Sequence, residues 1–136
     1  MIYLDTNILV YAFCKNVDDE NQKQKAQEIL KESIISKQLL VLSEISLYEF
    51  AFICKKLEEK LEVINDNIDF LSRYIKNKKI YSEVLQFIKK EKSYKQSFDS
   101  YHIVFANSFK CNKLVTFDKG FKNFIKSSKT NIEIIQ

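Results

Sequence analysis

The sequence predicts an α/β protein, a three-layer α/β/α arrangement with a short central parallel sheet and a high helix content. Short apolar runs alternate along the chain with longer segments whose apolar residues repeat at helical spacing. This alternation is typical of parallel strands joined by helices that cover both faces of the sheet. The chain has one glycine and no proline, which favours many helices joined by short connections.

The N-terminal half is predicted to contain two strands and four helices. Strand Ile2–Leu4 is followed by a polar turn at residues 5–7 and a buried helix at 8–13. Apolar residues at helical spacing predict a helix over 22–36, and a second buried strand follows at 39–42. Ser43 is a candidate cap for a helix over 44–61, and a further amphipathic pattern predicts a helix over 63–76.

The C-terminal half is predicted to complete the sheet. An amphipathic helix over 80–90 leads into a basic, polar connector at 89–96, and Ser97 is a candidate cap for a helix over 98–110. The remaining predicted elements are a strand at 113–117, a turn at 118–120, a short helix at 121–125 and an edge strand at 131–135.

Length and composition indicate a single domain over residues 1–136. A chain of this length with 46% hydrophobic and 29% charged residues can bury a core. No apolar run approaches the roughly 20 residues that a membrane-spanning helix needs, and no signal-peptide pattern is visible. Cys14, Cys54 and Cys111 are far apart in sequence and odd in number, as expected of reduced thiols. We therefore expect a cytoplasmic protein.

Charge is divided unevenly along the chain. Residues 1–84 have a net charge of −2, whereas residues 85–136 hold 10 lysines and 4 acids and have a net charge of +6. A basic half is what a protein that binds a polyanion such as RNA would need. The alternative is that these lysines are an ordinary solvated surface.

Two acids follow predicted strands. Asp5 comes directly after the first strand and Asp118 after the strand at 113–117. Ligands of open α/β sheets gather outside the carboxyl ends of the strands. Both acids also have a purely structural interpretation, because Asp is a preferred helix cap and a common turn residue.

Two further acids lie on predicted helices. Glu49 has Ile45, Phe52 and Ile53 as its helical neighbours, so it shares an apolar face or lies at its edge. Asp99 begins a helix and points in the same direction as His102. An Asp in the first turn is also explained by the helix dipole, and a lone histidine on an apolar face is usually a satisfied core residue.

Together the four acids, Asp5, Glu49, Asp99 and Asp118, point to a cation. Four converging carboxylates repel one another and are costly to assemble without one. Oxygen ligands alone suit Mg²⁺ or Mn²⁺, and such an ion can activate a water for phosphodiester hydrolysis.

Four motifs in order resemble those of the PIN domain, and more closely those of VapC-type toxins of bacterial and archaeal toxin–antitoxin pairs. Each contributes one of the four acids and together they extend over nearly the whole chain. They are hydrophobic-Leu4-Asp5-Thr6-Asn7, Ser43-x-x-Ser46-x-x-Glu49, Asp99-x-x-His102-x-x-x-Ala106 and Leu114-Val115-Thr116-x-Asp118-x-x-Phe121.

The resemblance implies a metal-dependent endoribonuclease that uses Mg²⁺ or Mn²⁺ to cleave single-stranded or structured RNA. By matching position, Asp5, Glu49, Asp99 and Asp118 are the metal-binding and catalytic acids, and Asn7 and Thr116 are supporting polar groups that position a carboxylate or water. The resemblance also implies a homodimer that is silenced by an antitoxin protein covering the acids.

The chain departs from this pattern in two places. Many such toxins carry glycine after the helix that begins with the Asp99 motif. Here the stretch is Phe109-Lys110-Cys111-Asn112, so we expect Asn112 to take the left-handed conformation. Residues 62–96 match nothing that helps to identify the RNA target.

Two other functions fit part of the sequence. An aspartate-nucleophile phosphatase would use Asp5 at a strand end, but such enzymes carry a second acid where this chain has Asn7. A non-catalytic module would use the basic half to bind RNA or a protein and would not need the four acids.

Overall fold

A computed structural model describes residues 1–36, 39–92 and 97–136, apart from the side chain of Ser97. Within these ranges the strands form one parallel sheet with the order β2-β1-β3-β4. The predicted parallel sheet and helix-rich α/β fold are confirmed. The strands are β1 (Ile2–Leu4), β2 (Leu40–Val41), β3 (Lys113–Thr116) and β4 (Asn131–Ile134).

Helices occupy most of the rest of the described chain. None of those described is long and apolar enough to cross a membrane. They are α1 (Thr6–Phe13), α2 (Glu20–Ile35), α3 (Glu44–Lys56), α4 (Leu61–Ser72), α5 (Tyr81–Lys90), α6 (Ser97–Ser108) and a 3-10 helix (Lys119–Phe124).

The sheet separates two apolar cores, because successive residues of a strand point to opposite faces. In β1, Ile2 and Leu4 pack with buried residues of helices α1 to α4. Tyr3 faces the other side and packs with Ile103 and Phe105 of α6 and with Phe121 of the 3-10 helix. Helices therefore cover both faces, as the alternating pattern predicted.

Two predicted boundaries in the first half are wrong. The helix predicted over 44–61 ends at Lys56, and Glu58 adopts a left-handed conformation with φ 59° before α4 begins at Leu61. The helix predicted over 63–76 ends at Ser72, because the chain beyond it extends to form a parallel bridge between Leu42 and Ile75. In that bridge the Leu42 N–H donates to the Tyr74 carbonyl at 2.9 Å.

The end of α6 also differs from the expectation. The helix stops at Ser108, and Lys110 adopts the left-handed conformation with φ 52° that was expected of Asn112. Asn112 instead anchors the chain start, since its N–H donates to the Met1 carbonyl and its side-chain oxygen accepts from the Met1 amino group, both at 2.7 Å. The predicted Ser97 cap and residues 93–96 of the predicted connector lie outside what is described.

The central strands bring two chain segments together at their carboxyl ends. β1 pairs with β3 so that Leu4 lies opposite Val115, and the Asp5 N–H donates to the Val115 carbonyl at 2.9 Å. The residues that follow each strand therefore lie side by side, which positions the candidate site.

Candidate metal centre

Asp5 lies between the end of β1 and the start of α1. Its Oδ1 accepts the Thr6 N–H at 2.8 Å, which caps α1, and its Oδ2 accepts the Thr116 hydroxyl at 2.7 Å. The residue is only 7% exposed. Burial raises the pKa of Asp5, although His102 and the two hydrogen bonds offset part of that effect. The structural role that the sequence suggested is therefore real, and it leaves each carboxylate oxygen with capacity for a further partner.

Thr116 and Asn7 connect Asp5 to the segment after β3. The Thr116 hydroxyl oxygen also accepts the Asp118 N–H at 2.9 Å and the Asn7 Nδ2–H at 3.3 Å. Asn7 in turn accepts the Phe117 N–H through its Oδ1 at 3.2 Å. These two polar side chains hold the ends of β1 and β3 in a fixed relationship.

Glu49 lies on α3 and is held by two donors from other helices. Its Oε1 accepts the Thr6 hydroxyl at 2.6 Å and lies 2.9 Å from Nε2 of His102. Burial tends to raise the pKa of Glu49, but His102 and Thr6 outweigh it and the pKa is lowered. Phe52, expected to share an apolar face with Glu49, is 64% exposed, so Glu49 lies at the edge of that face.

His102 lies behind the acids, 1% exposed on α6. Its Nδ1 is hydrogen-bonded to the Tyr3 hydroxyl, and its Nε2 lies 4.0 Å from Oδ1 of Asp5. Burial tends to lower the pKa of His102, but the Glu49 hydrogen bond and the nearby carboxylates, Asp5 and Asp99 among them, raise it. The sequence interpretation of a satisfied core histidine describes its burial but not its contact with the acids.

Asp99 is half-buried in the first turn of α6. Burial and the charges of Asp5, Asp118 and Glu49 raise its pKa to about 6, against a smaller opposite effect of His102. Among the residues described, none donates a hydrogen bond to the Asp99 carboxylate. A carboxylate that is partly desolvated, close to other acids and without a donor is suited to a cation.

Asp118 is exposed and begins the 3-10 helix. Its Oδ1 accepts the Gly120 N–H at 2.8 Å, so the turn interpretation also describes it. The charge of Asp118 contributes to the raised pKa of Asp99, so these two acids are close enough to repel each other.

The four acids thus share one electrostatic environment without forming a closed cage. Across residues 1–36, 39–92 and 97–136, no group of three or more His, Cys, Asp or Glu side chains is already arranged to hold a metal ion. Glu49 is turned toward His102, and Asp118 toward its own turn. The atoms available as metal ligands are carboxylate oxygens, which are the type that Mg²⁺ and Mn²⁺ prefer. The role of the four acids as metal ligands stays a prediction.

Sequence reasoning missed the contribution of Thr6 and Tyr3. Thr6 belongs to the polar triplet after β1, so its presence there was a signal for a role beyond turning the chain. Tyr3 carried no such signal, because the apolar run in which it lies predicts only a buried strand.

Comparison with known proteins decides the family. The sequence matches the PIN domain over residues 2–126, a range that includes all four acids and most of the chain. The chain belongs to the PIN domain family. Members of this family are generally nucleases and generally use divalent metal ions.

The PIN fold is also found in a solved structure. This PIN domain is similar to a chain in the crystal structure of FitAcB from Neisseria gonorrhoeae, with a TM-score of 0.63 and 17% sequence identity. The similarity covers 98% of this chain and 96% of that chain. At this identity the likeness concerns the fold. No significant sequence match is found among curated proteins.

Proposed function

We propose that this protein is a metal-dependent endoribonuclease, built as one PIN domain over residues 1–136 and acting as the toxin of a toxin–antitoxin pair. The observation that carries the proposal is the environment of Asp99. Its pKa is raised to about 6 by burial and by the charges of Asp5, Asp118 and Glu49, which a bound cation would relieve. Family membership supports the same chemistry.

Asp5, Glu49 and Asp99 would hold the ion, and Asp118 would hold a second ion or orient a water. When bound, Mg²⁺ or Mn²⁺ lowers the pKa of a coordinated water and stabilises the leaving oxygen of the phosphodiester. The chain's own contribution is orientation. Thr6 and Thr116 fix the two Asp5 oxygens, so that the carboxylate does not have to be ordered when the ion binds.

Lysines after residue 85 would bind the phosphates of the RNA. Lys119 and Lys122 are exposed and follow Asp118 directly on the 3-10 helix. Contacts of this kind attract a polyanion without reading its sequence.

Apolar surface near the acids supports a protein partner. A groove of about 310 Å³ lies beside Asn7, and an antitoxin segment could fill it. The apolar residues lining the groove are Val10, Val17, Ile53 and Leu57, with Tyr11 beside them.

A second apolar surface supports pairing of two copies of the chain. On α5, Tyr81 is 62% and Leu85 is 50% exposed, and contact between two such helices would cover them.

The decisive experiment measures cleavage of a labelled single-stranded RNA with Mn²⁺, with EDTA, and with Asp5→Asn. Asn is as good a helix cap as Asp, so this variant should keep α1 while it removes a charge. We expect EDTA to abolish cleavage and Asp5→Asn to reduce kcat by at least about 100-fold. Asp66→Asn, an exposed change on α4, is the matched control. Undiminished cleavage by folded Asp5→Asn would contradict the mechanism.

The toxin role has a separate test. Expression in a bacterial host should arrest growth, and Asp5→Asn should not. Co-expression of a small reading frame found beside the gene should restore growth if it encodes the antitoxin. The proposal places the protein in the cytoplasm, where buried Cys14, Cys54 and Cys111 remain thiols.

The same assays test the alternatives. RNA binding that survives loss of the acids and needs no metal, without cleavage, would indicate a non-catalytic module. A trapped acyl-phosphate on Asp5 would indicate the phosphatase. The structure gives that function little support, because Asn7, at the second acidic position of the phosphatase motif, is hydrogen-bonded to Thr116 and Phe117.

A further inference from the structure

We propose that His102, itself oriented by Tyr3, is a positioning residue that fixes the Glu49 carboxylate for metal binding. The inference rests on the proposed function, because it concerns how one of the candidate ligands is held. It gives His102, which the sequence interpretation named in a motif without a role, and Tyr3 a role in the site.

The first step concerns how the imidazole ring is held. Both of its nitrogens have a partner, with the Tyr3 hydroxyl at Nδ1 and Glu49 at Nε2. The Tyr3 hydroxyl also lies 3.1 Å from Oγ of Ser43 and 2.9 Å from Oγ of Ser46. Because Tyr3, His102 and the two serines are all buried, the ring has one orientation available to it.

The second step concerns the elements that the network joins. Tyr3 comes from β1, His102 from α6, and both serines from the start of α3, the helix that carries Glu49. Ser46 precedes Glu49 by about one helical turn. The Tyr3 hydroxyl therefore sets the position of α6 and of α3 relative to the central strand, which fixes both the donor and the acceptor of the His102–Glu49 contact.

The third step concerns the Glu49 carboxylate. Its Oε1 is engaged by both Thr6 and His102, which uses the two lone pairs of that oxygen. Within the described part of the chain no donor reaches Oε2. A glutamate side chain loses considerable rotamer freedom when it is ordered, and here the protein orders it in advance with one oxygen left for a ligand.

The fourth step relates His102 to the other acids. Nε2 lies within 4.0 Å of both Glu49 and Asp5, and Asp99 is three residues earlier on the same face of α6. A histidine that merely filled the core would not need to face two carboxylates. One ring nitrogen therefore lies against two candidate ligands and forms a hydrogen bond with one of them.

The experiment compares two amide substitutions of His102. The amide nitrogen of glutamine can take the place of Nε2 and donate to Glu49, whereas the shorter asparagine reaches only the Tyr3 side. We expect His102→Asn to weaken Mn²⁺ binding by about 10- to 100-fold and to lower kcat with the KM for RNA unchanged. His102→Gln keeps the donor to Glu49 but loses the Tyr3 contact, so it should weaken Mn²⁺ binding only several-fold, less than His102→Asn does. Mn²⁺ binding is measured without RNA by electron paramagnetic resonance of the free ion.

Tyr3→Phe provides a second variant that removes only the hydroxyl anchor of the ring. We expect it to weaken Mn²⁺ binding by several-fold, and circular dichroism melts establish that each variant is folded. If folded His102→Asn and Tyr3→Phe bind Mn²⁺ as wild type does, the positioning role is wrong. If His102→Asn does not fold, an unchanged Mn²⁺ affinity of Tyr3→Phe overturns it. Failure of wild type itself to bind Mn²⁺ or cleave RNA would instead overturn the proposed function.

Discussion

The Thr116 hydroxyl donates a hydrogen bond to Oδ2 of Asp5 across 2.7 Å, and it joins residues that are 111 positions apart in the sequence. The contact connects the ends of the two central strands. It also orients the most buried of the four acids, so the same hydrogen bond serves the fold and the candidate site.

Replacing Thr116 with valine should show both roles. Valine keeps the shape of the side chain but leaves buried Asp5 without its Oδ2 donor, so we expect a loss of about 1–3 kcal/mol in the free energy of unfolding. We also expect weaker Mn²⁺ binding. Thr116→Ser keeps the hydroxyl but loses a buried methyl, so its stability should fall by about 1 kcal/mol while its Mn²⁺ affinity stays close to wild type. Urea unfolding and Mn²⁺ titration measure the two effects, and equal Mn²⁺ affinities of the valine and serine variants would contradict this assignment.

The pH dependence of stability should report on Asp99. Its pKa is about 6 in the folded protein and near 3.8 as a model group, so the native state binds the extra proton. The stabilisation that the Asp99 proton gives the folded state is fully present below the pKa of Asp99 in the unfolded chain. It is lost as the pH rises through about 6. Asp99→Asn should therefore stabilise the metal-free protein at pH 8 by about 1 kcal/mol, allowing for solvent screening at this half-buried side chain, and change it little near pH 4.

Urea unfolding of wild type and Asp99→Asn at pH 4 and pH 8, in EDTA, measures this difference. Asp66→Asn, which removes an exposed charge on α4, is the control and should have no such pH dependence. A stabilisation that is larger at pH 4 than at pH 8 would have the wrong sign. The expected gain in stability should accompany a loss of Mn²⁺ binding, because the charge that destabilises the empty protein is the one a cation needs.

RNA affinity should depend on Lys119. If this exposed lysine contacts a phosphate, Lys119→Gln should weaken binding of all RNA sequences alike and make the slope of log K against log salt shallower by about 0.7 for single-stranded RNA. Lys31→Gln is the control. Lys31 lies near the end of α2, where Ser33 lines a cavity with Lys113 at the start of β3. The acids lie beyond the other end of that strand, so Lys31 is away from the candidate site. Filter binding at several salt concentrations, in EDTA, measures the slopes. Equal slopes for the two variants would show that Lys119 does not contact an RNA phosphate.

The left-handed conformation of Lys110 predicts a stabilising substitution. A residue with a Cβ is destabilised by about 1–2 kcal/mol at φ 52°, and glycine is not. Lys110→Gly should therefore raise the free energy of unfolding by about 0.5–1 kcal/mol, once the greater freedom of glycine in the unfolded chain is counted. Lys110→Ala keeps the Cβ and should bring no gain. Thermal and urea unfolding of the pair measure the difference, and identical stabilities would show that the turn carries no strain.

Much of the fold could be predicted from the sequence because it follows from local patterns. Short apolar runs separated by amphipathic helices indicate a parallel sheet, and the polar residues after Leu4 and Thr116 mark strand ends. The end of α3 could not be predicted, since Glu58 occupies a left-handed position that normally signals itself with glycine. The end of α4 depends on the bridge between Leu42 and Ile75, a contact between distant segments.

The same division applies to the candidate site. The four acids stand out individually because each breaks an apolar or turn pattern in an informative place. The partners that orient them do not, because the contact of Tyr3 with His102 spans 99 positions and that of Thr6 with Glu49 spans 43. A tyrosine in a buried strand has no sequence feature that separates it from its apolar neighbours.

The pairing of β1 with β3 has a consequence during protein synthesis. The first strand is synthesised before its central neighbour, and Thr116 and Asp118 emerge from the ribosome only after the helices between the two strands have been made. A nascent chain therefore carries Asp5 without the residues that hold it in place. If the folded protein cleaves RNA, the translating ribosome and its message are not exposed to an assembled nuclease until β3 and Asp118 have emerged.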